Sequence, residues 1–305
     1  YSSHITAIVT VADDGGSSGV LRRELGVLPP GDIRNCLAAL STEEPLLTRL
    51  FQYRFAAGSG LEGHSFGNLF LSALSAITGN LETAITASSR VLAVQGQVVP
   101  ATNVDVQLWA ELENGQRIEG ESNIGHAPSP IVRLGCSPER PPALPRALEA
   151  IANADLIVLG PGSLYTSLLP NLLVPELVSA IKRSKAPRLY ICNLMTQPGE
   201  TDGLDVRGHI RAIEAQLATL GIEPRLFNAV LAQDDLPDSD LVRYYQSRGA
   251  DPVRCDAEGL RSDGYDVTQA PLQGVRPTAT LRHDSRSLAL AVMRFYRTHR
   301  RERDQ

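Results

Sequence analysis

The chain contains several polar, glycine-rich segments whose residue types suit the binding of a phosphorylated ligand. The first follows an apolar run and reads Asp13, Asp14, Gly15, Gly16 and Ser17. A carboxylate at a strand end can bind ribose hydroxyls, a carboxylate pair can hold Mg²⁺, and glycines let backbone N–H groups approach a phosphate. The alternative is that these residues only solvate a loop and cap the next helix. We predict ligand or metal contact for at least one of the two aspartates.

A second segment, with the sequence GPGSLYTS, follows another apolar run and is typical of a phosphate-binding loop. It lacks the GK[ST] ending of a Walker A loop, and the alternative is a tight turn between a strand and a helix. The residues predicted to contact the ligand are Gly160, Gly162, Ser163, Thr166 and Ser167.

The sequence GHSFGN opens a predicted helix and places polar groups beside two glycines. A lone histidine is more often structural than catalytic, so we expect His64 in the pocket and do not predict it as an acid or base. Its spacing from His126 and His209 does not indicate a metal site. The residues predicted to contact the ligand are His64, Ser65, Gly67 and Asn68.

Two more groups complete the candidate site. Asn193, Thr196 and Gln197 follow an apolar run and offer donors and acceptors for a base or a ribose, although such residues also satisfy their own turns. The other group stands at the start of a predicted helix. There we expect Asp32 to cap the helix and Arg34 to pair with a phosphate. Its members are Asp32, Arg34 and Asn35.

The elements that must position these residues alternate between strands and helices. Apolar runs at residues 5–11, 155–159 and 188–193 read as buried strands, and a polar loop is predicted at residues 12–19. This rhythm predicts a layered α/β fold with a parallel sheet. In such sheets ligands bind outside the carboxyl ends of the strands, which is where the candidate segments fall.

A region of alternating apolar and polar residues interrupts this pattern. Val98 and Val99 fall in it, Asn114-Gly115 predicts a hairpin turn, and residues 116–124 read as the returning strand. We interpret the region as a small antiparallel β insertion. A late strand is predicted at residues 278–281, before a final helix.

The composition is that of a globular protein. The 305 residues carry 29 Lys and Arg against 34 Asp and Glu, a formal net charge of −5, which argues against nucleic-acid binding. No apolar run reaches the ~18 residues typical of a membrane helix. The four cysteines have no CxxC spacing, so we expect reduced thiols in a cytoplasmic protein.

Four long motifs then resemble one known family in order and spacing. They read ITAIVTVADDGGSSGVLRRELGVLPPGDIRNCLAAL, GHSFGNL, ADLIVLGPGSLYTSLLPNLLV and NLMTQPGETDG. The chain resembles the YvcK-type gluconeogenesis factors of the CofD-like superfamily, which is named for 2-phospho-L-lactate transferase. The resemblance covers residues 5 to about 209 and is weaker beyond.

The resemblance implies a Rossmann-like α/β core: a mostly parallel sheet with flanking helices and a small antiparallel β insertion. It further implies a cytoplasmic protein that binds a UDP-sugar such as UDP-N-acetylglucosamine. Such proteins are linked to carbon metabolism, cell shape and peptidoglycan precursor supply. The expected partners are a nucleotide ligand and a second copy of the chain, with no nucleic acid and no membrane; a protein partner is unknown.

Family members begin with a strand and a GGGTG-like loop that are absent before Tyr1, so we expect a truncated or partly recorded chain. We divide it into residues 1–90, the N-terminal part of the nucleotide-binding core, residues 91–135, the β-rich insertion, and residues 136–305, the C-terminal part of that core. Whether any reaction is catalysed stays open. A non-catalytic regulator is favoured, and the alternative is a transferase that acts on a deazaflavin with Mg²⁺.

Overall fold

The structure is a computed structural model that describes residues 2, 4–42, 45–275 and 280–303. It has the predicted α/β architecture, in which parallel strands alternate with helices. The strands within these residues are, in chain order, β1 (Thr6–Val9), β2 (Gln97–Pro100), β3 (Gln107–Leu112), β4 (Arg117–Glu119), β5 (Ile131–Ser137), β6 (Ile157–Leu159), β7 (Arg188–Ile191), β8 (Ala229–Gln233), β9 (Asp266–Ala270), β10 (Gln273–Val275) and β11 (Leu281–His283).

The helices of the same residues flank these strands. They are α1 (Gly16–Leu25), α2 (Gly31–Leu40), α3 (Pro45–Gln52), α4 (Phe66–Thr78), α5 (Leu81–Val91), α6 (Glu121–Ile124), α7 (Pro145–Ala152), α8 (Leu169–Leu172), α9 (Pro175–Arg183), α10 (Val206–Thr219), α11 (Ser239–Gln246), α12 (Ala257–Ser262) and α13 (Ser285–Arg303). A short π-helical segment, Leu164–Leu168, runs directly into α8.

The larger parallel sheet contains four strands in the order β6, β7, β8 and β9. Helices separate consecutive strands along the chain: α8 and α9, then α10, then α11 and α12. All of β8 except its last residue is buried, as expected for a strand covered on both faces. The loops that follow β6 and β7 therefore emerge at the same edge of the sheet.

A second parallel sheet pairs β1 with β2, and Ala7 lies opposite Val98. The prediction that Val98 and Val99 belong to the antiparallel region is therefore wrong. A short apolar run does not reveal whether its strand pairs in parallel or antiparallel fashion. Helices α1 to α5 supply the long crossover that a parallel pairing of β1 and β2 requires.

The predicted antiparallel β sheet is present and has the strand order β4, β3, β5. Asn114 and Gly115 form the predicted hairpin turn, with a φ of 81° at Gly115. The returning strand is shorter than predicted, because β4 ends at Glu119 and the next residues form α6. Gly120, with a φ of 91°, directs the chain from β4 into α6.

The first polar loop is also shorter than predicted. Helix α1 begins at Gly16, so Gly16 and Ser17 lie in its first turn. Glycine and serine have modest helix propensity, which hides this start in the sequence. Asp32 does not cap α2, because that helix begins one residue earlier and Asp32 lies in its first turn. There the carboxylate interacts favourably with the N-terminal end of the helix dipole.

The largest hydrophobic cluster joins the antiparallel sheet to the larger parallel sheet. Leu134 of β5 and Gln216 of α10 exchange two hydrogen bonds of 2.8 Å between the backbone of one and the side-chain amide of the other. Within the cluster the rings of Tyr190 and Phe227 stack with centroids 5.0 Å apart. These contacts fix the insertion against the strands that carry the candidate site.

Among the described residues, no single helix is long and apolar enough to cross a membrane. Only the bent pair Leu164–Leu172 and Pro175–Arg183, whose axes differ by 74°, passes by length and composition. Residues 278 and 279 of the predicted late strand lie outside the described residues, and Leu281 begins β11.

Candidate functional site

The predicted site residues lie in two groups around α6. We call residues 12–19, 31–35 and 63–68 the N-terminal half of the site, and residues 160–167 and 193–201 its C-terminal half. Apolar neighbours from the two halves, Ala12, Leu164 and Cys192, belong to the same buried cluster as Ile124 of α6. The tertiary structure therefore brings the separate sequence motifs to one region of the surface.

Asp13 lies against the start of α2. Its Oδ1 accepts the N–H of Gly15 at 2.9 Å, and a Cβ atom at Gly31 would lie 2.1 Å from its Oδ2. Only glycine therefore allows the carboxylate this close approach. Burial, and then the nearby Asp13 carboxylate, raise the pKa of Asp32 to about 6, although the Arg34 guanidinium opposes the shift.

Asp14 points in a different direction and binds the start of α6. Its Oδ2 accepts the N–H of Glu121 at 3.0 Å. Its Oδ1 accepts the N–H of Ser122 at 2.8 Å and the Ser122 hydroxyl at 2.7 Å. Asp14 therefore caps a helix, as the alternative interpretation predicts. The helix is α6, however, more than a hundred residues further along the chain, and not the next helix.

A polar network connects the starts of α1, α2 and α4. The Ser17 hydroxyl lies 3.1 Å from His64 Nδ1 and accepts the N–H of Ser65 at 3.3 Å. Arg34 donates from Nη1 to the Ser65 hydroxyl and from Nη2 to the side-chain oxygen of Asn35, both at 2.8 Å. The network brings these five predicted residues together.

Gly67 and Asn68 complete the N-terminal half. A Cβ atom at Gly67 would lie 2.4 Å from the Phe51 carbonyl oxygen and 2.8 Å from Arg34 Cδ, so glycine allows α4 to approach both α3 and that side chain. Asn68 donates to the Ser18 hydroxyl at 3.2 Å. Its Oδ1 is buried without a hydrogen-bond partner, as is Arg34 Nε. Buried polar atoms are normally paired, so this half has unused capacity for a water or a ligand.

Three stretches in or beside this half match catalytic or cofactor motifs without having the matching structure. Residues 15–19 and 63–67 read GxSxG, and residues 58–63 read GxGxxG. A nucleophile elbow strains its serine, whereas here the positive φ, of 44°, belongs to Gly16 and not to Ser17. Residues 58–63 lie in the connection between α3 and α4, and residues 63–67 run from that connection into α4, so neither stretch follows a strand.

The C-terminal half is held together by its own side chains. Asn193 accepts the N–H of Gly162 at 3.2 Å and donates to its carbonyl at 2.9 Å. Gln197 donates to the Ser163 hydroxyl at 2.7 Å. The two predicted loops are therefore adjacent, but part of their hydrogen-bonding capacity is already used.

Glu200 is the residue of this half that the sequence analysis missed. The residue is 8% exposed, and its carboxylate accepts hydrogen bonds from the N–H of Tyr165 at 3.0 Å and the Thr166 hydroxyl at 3.1 Å. It thus occupies two donors of the predicted phosphate loop. Burial raises the pKa of Glu200, and these hydrogen bonds oppose the shift. No motif in the sequence indicates this pairing, because its partners are more than thirty residues apart.

The remaining predicted residues of this half have structural partners. The Thr196 hydroxyl accepts the N–H of Asp251 at 2.8 Å. The Ser167 carbonyl accepts from the Asn171 side chain at 2.8 Å. Gly160 has a φ of 85°, and a Cβ atom there would lie 2.6 Å from the Ile191 carbonyl oxygen, so glycine is required at this turn.

The side chain of Glu121 connects the two halves electrostatically. Burial raises its pKa to about 8, and the carboxylates of Asp13, Asp14, Asp32 and Glu200 add to the shift. The hydrogen bond from Glu121 to Asp14 and the close approach of Gly199 to Ala127 show that α6 and its flanking residues lie between the two halves. The sequence analysis missed Glu121 as well, since residues 116–124 were predicted to be a strand.

A magnesium ion is not accommodated by protein groups alone. Within the described ranges, no group of three or more His, Cys, Asp or Glu side chains converges as a metal site would require. Both oxygens of Asp14 are committed to α6. The acidic residues of the site therefore do not fit a resident magnesium centre, and no step is assigned to one.

Comparisons with known proteins agree with the motifs. The sequence profile described as "2-phospho-L-lactate transferase CofD" matches residues 1–273. A protein named "Gluconeogenesis factor" from Bacillus subtilis is 47% identical over 285 residues, which are 93% of this chain and 88% of that protein. A relative from Nostoc sp. is 57% identical over 296 residues, and there the chain spans 97% of its own length but 64% of the relative.

A solved structure supports the fold independently. The crystal structure of a Bacillus halodurans protein, described as a member of the UPF0052 family, superimposes with a TM-score of 0.88 at 45% sequence identity. The match covers 94% of this chain and 91% of that one.

Proposed function

The chain belongs to the CofD family, among relatives named gluconeogenesis factors, and from this premise we infer that it binds a UDP-sugar such as UDP-N-acetylglucosamine as a regulatory protein. The regulated processes we propose are carbon metabolism, cell shape and peptidoglycan precursor supply. We place its action in the cytoplasm, with no nucleic-acid or membrane partner, and with a second copy of the chain as a candidate partner.

The observation that carries this proposal is the convergence of both halves of the site around α6. One helix N-terminus contributes about 0.3–1 kcal/mol to the binding of an anion, whereas micromolar affinity needs about 8 kcal/mol. A small phosphate that contacts one loop would be held weakly. A nucleotide joined to a sugar offers a base, hydroxyls and a diphosphate to several loops at once, which supports a nucleotide-sugar over free phosphate.

The N-terminal half is the better place for the diphosphate. Arg34 is its positive group, His64 and Ser17 lie beside it, and Arg34 Nε is unpartnered. In the C-terminal half, by contrast, Glu200 already accepts from the phosphate-loop donors. The amides of Asn193 and Gln197 suit the hydroxyls or the base of the ligand instead.

Calorimetric titration with UDP-N-acetylglucosamine tests the proposal, and UDP and GDP serve as comparison ligands. We expect saturable binding with micromolar affinity, and weaker binding by Asp13→Ala and Asn193→Ala variants that remain folded. Asn80→Ala is the matched control, because Asn80 caps α5 away from the site and its loss should leave affinity unchanged. Absence of heat with and without Mg²⁺, or an equal loss in the control, would contradict it.

The second candidate function is a phosphate-group transferase, and the description of the matching family profile favours it. In the corresponding reaction a phospholactyl group moves from a guanylylated donor to a deazaflavin. Incubation with both substrates and Mg²⁺ separates the candidates. Product formation supports the enzyme, whereas UDP-sugar binding without turnover supports the regulator.

A further inference from the structure

The segment that links the two halves of the site is α6 with its flanking residues, 120–127, which we call the α6 segment. At its start, three hydrogen bonds join Glu121 and Ser122 to the Asp14 carboxylate. A Cβ atom at Gly15 would lie 3.0 Å from the Ser122 hydroxyl, so the segment also packs against the first loop itself.

The other end of the α6 segment packs against the C-terminal half. Gly199, with a φ of 84°, lies so close that a Cβ atom there would be 2.9 Å from the Ala127 nitrogen and 3.0 Å from His126 Cα. The next residue is Glu200, whose carboxylate holds Tyr165 and Thr166. The segment therefore contacts both halves within eight residues of chain.

We propose that the α6 segment fixes the N-terminal and C-terminal halves of the site relative to one another, and that Asp14 is a positioning residue acting through it. Asp14 has its carboxylate oxygens committed to α6, so its main effect on a ligand passes through that segment. The proposal rests on the proposed function only where it concerns ligand affinity. The coupling between the halves is a property of the free protein.

The acidic side chain of Glu121 makes the position of the α6 segment dependent on the Asp14 hydrogen bonds. A Cβ atom at Gly15 would lie 3.8 Å from Glu121 Oε2, and both burial and the carboxylates of the two halves raise the pKa of Glu121, so a negative charge on this residue opposes the packing of the segment. The Asp14 hydrogen bonds counteract that effect. Without them, the segment is still held by Ile124 and Ala127 in the main cluster and by the hydrogen bond from the Gly120 N–H to the Leu108 carbonyl.

Hydrogen exchange of the ligand-free protein tests the coupling. In an Asp14→Ala variant, exchange in peptides covering residues 117–130 should rise about five- to tenfold, the effect of losing a helix cap. Peptides covering residues 193–205 should also exchange faster, although Asp14 does not contact them directly. Asp14→Asn should restore part of the protection, because the amide oxygen still accepts a hydrogen bond.

Asp256→Ala is the matched control. Asp256 caps the short helix α12 by accepting the N–H of Gly259 at 3.0 Å. Asp256 also pairs with Arg207 at 3.9 Å, so its loss should increase exchange around α12 and within the first turn of α10, and leave residues 117–130 and 193–205 unchanged. Unchanged exchange at residues 193–205 in Asp14→Ala would overturn the proposal, whatever the ligand does.

Titration of the same variants with UDP-N-acetylglucosamine tests the positioning role. Weaker binding by Asp14→Ala, with recovery in Asp14→Asn and no change in Asp256→Ala, supports it. Unchanged affinity in an Asp14→Ala variant that exchanges faster would overturn it. If the unsubstituted protein does not bind the UDP-sugar, the proposed function fails, while faster exchange at residues 193–205 still supports the coupling.

Discussion

At the scale of single residues, the carboxylates of the site, even those adjacent in sequence, have different structural partners. Asp13 lies against the start of α2 in the N-terminal half, whereas its neighbour Asp14 points to α6. In the C-terminal half, Glu200 accepts hydrogen bonds from Tyr165 and Thr166 and so holds the loop after β6. A carboxylate that accepts backbone N–H groups is fixed in place, and its loss leaves those donors unpaired.

Two substitutions of Glu200 distinguish the contribution of its hydrogen bonds from that of its charge. Glu200→Ala leaves two buried donors unpaired and should destabilise the protein by about 2–4 kcal/mol and weaken ligand binding. Glu200→Gln should retain most of the affinity, because its amide oxygen accepts from Tyr165 while its NH₂ donates to the Thr166 hydroxyl. Chemical denaturation and calorimetric titration measure the two effects.

The control for this prediction is Glu176→Ala. Glu176 accepts the N–H of Ala143 at 2.6 Å, so the variant loses a comparable carboxylate contact outside the site. It should lose stability and keep its ligand affinity. A Glu200→Gln variant that binds as poorly as Glu200→Ala would show that the charge, and not the geometry, is needed.

At the scale of elements, close approach between helix starts and loops builds the N-terminal half. Helix α2 begins at Gly31 directly against Asp13, and α4 begins beside Arg34 because Gly67 has no side chain. The antiparallel sheet contributes α6 from the other side. The loops of the site are thus placed by elements that the motifs themselves do not include.

Substitution of Gly31 tests this packing. In Gly31→Ala the added methyl would overlap Asp13 Oδ2 and the Ser18 hydroxyl, at 2.1 and 2.6 Å. We expect a loss of about 1–3 kcal/mol in stability, typical of overpacking, and a clear loss of ligand affinity. Gly208→Ala in α10, outside the site, is the control, since its closest contact would be the flexible Leu204 side chain at 3.1 Å. Equal behaviour of the two variants in denaturation and titration would refute this packing argument.

At the scale of the whole molecule, folding concentrates acidic groups that the sequence distributes over nearly two hundred residues. The chain carries a formal net charge of only −5, yet five carboxylates from both halves and α6 interact. Burial, and then this concentration of negative charge, raises the pKa of Glu121 and of Asp32. The stability of the fold should therefore depend on pH.

The sign of this dependence follows from the raised pKa values. Glu121 binds its proton more tightly in the folded state, so the stabilisation is full below pH 4.5 and is lost as pH rises through about 8. For Asp32 the corresponding window runs from 3.8 to about 6. Denaturant unfolding between pH 5 and 9 should show Glu121→Gln to be less pH-dependent than the parent. An unchanged slope in that variant would contradict the assignment.

Features that depend on neighbouring residues could be predicted from the sequence, whereas features that depend on distant contacts could not. The apolar runs and the Asn114-Gly115 turn predicted the main strands and the hairpin, because local periodicity and turn chemistry are written in adjacent residues. The parallel pairing of β2 and the helical state of α6 were missed. Both depend on contacts with distant segments, which a local pattern does not contain.

The sequence by itself determined the α/β class, the family and the polar motifs, since each is a property of residue types at short spacing. The tertiary structure alone decided which of these residues meet. It directed Asp14 to α6, paired Glu200 with Tyr165 and Thr166, and placed Glu121 between the two halves. The physical reason is that hydrogen bonds and charge interactions act over a few ångströms in space, however far apart their partners lie along the chain.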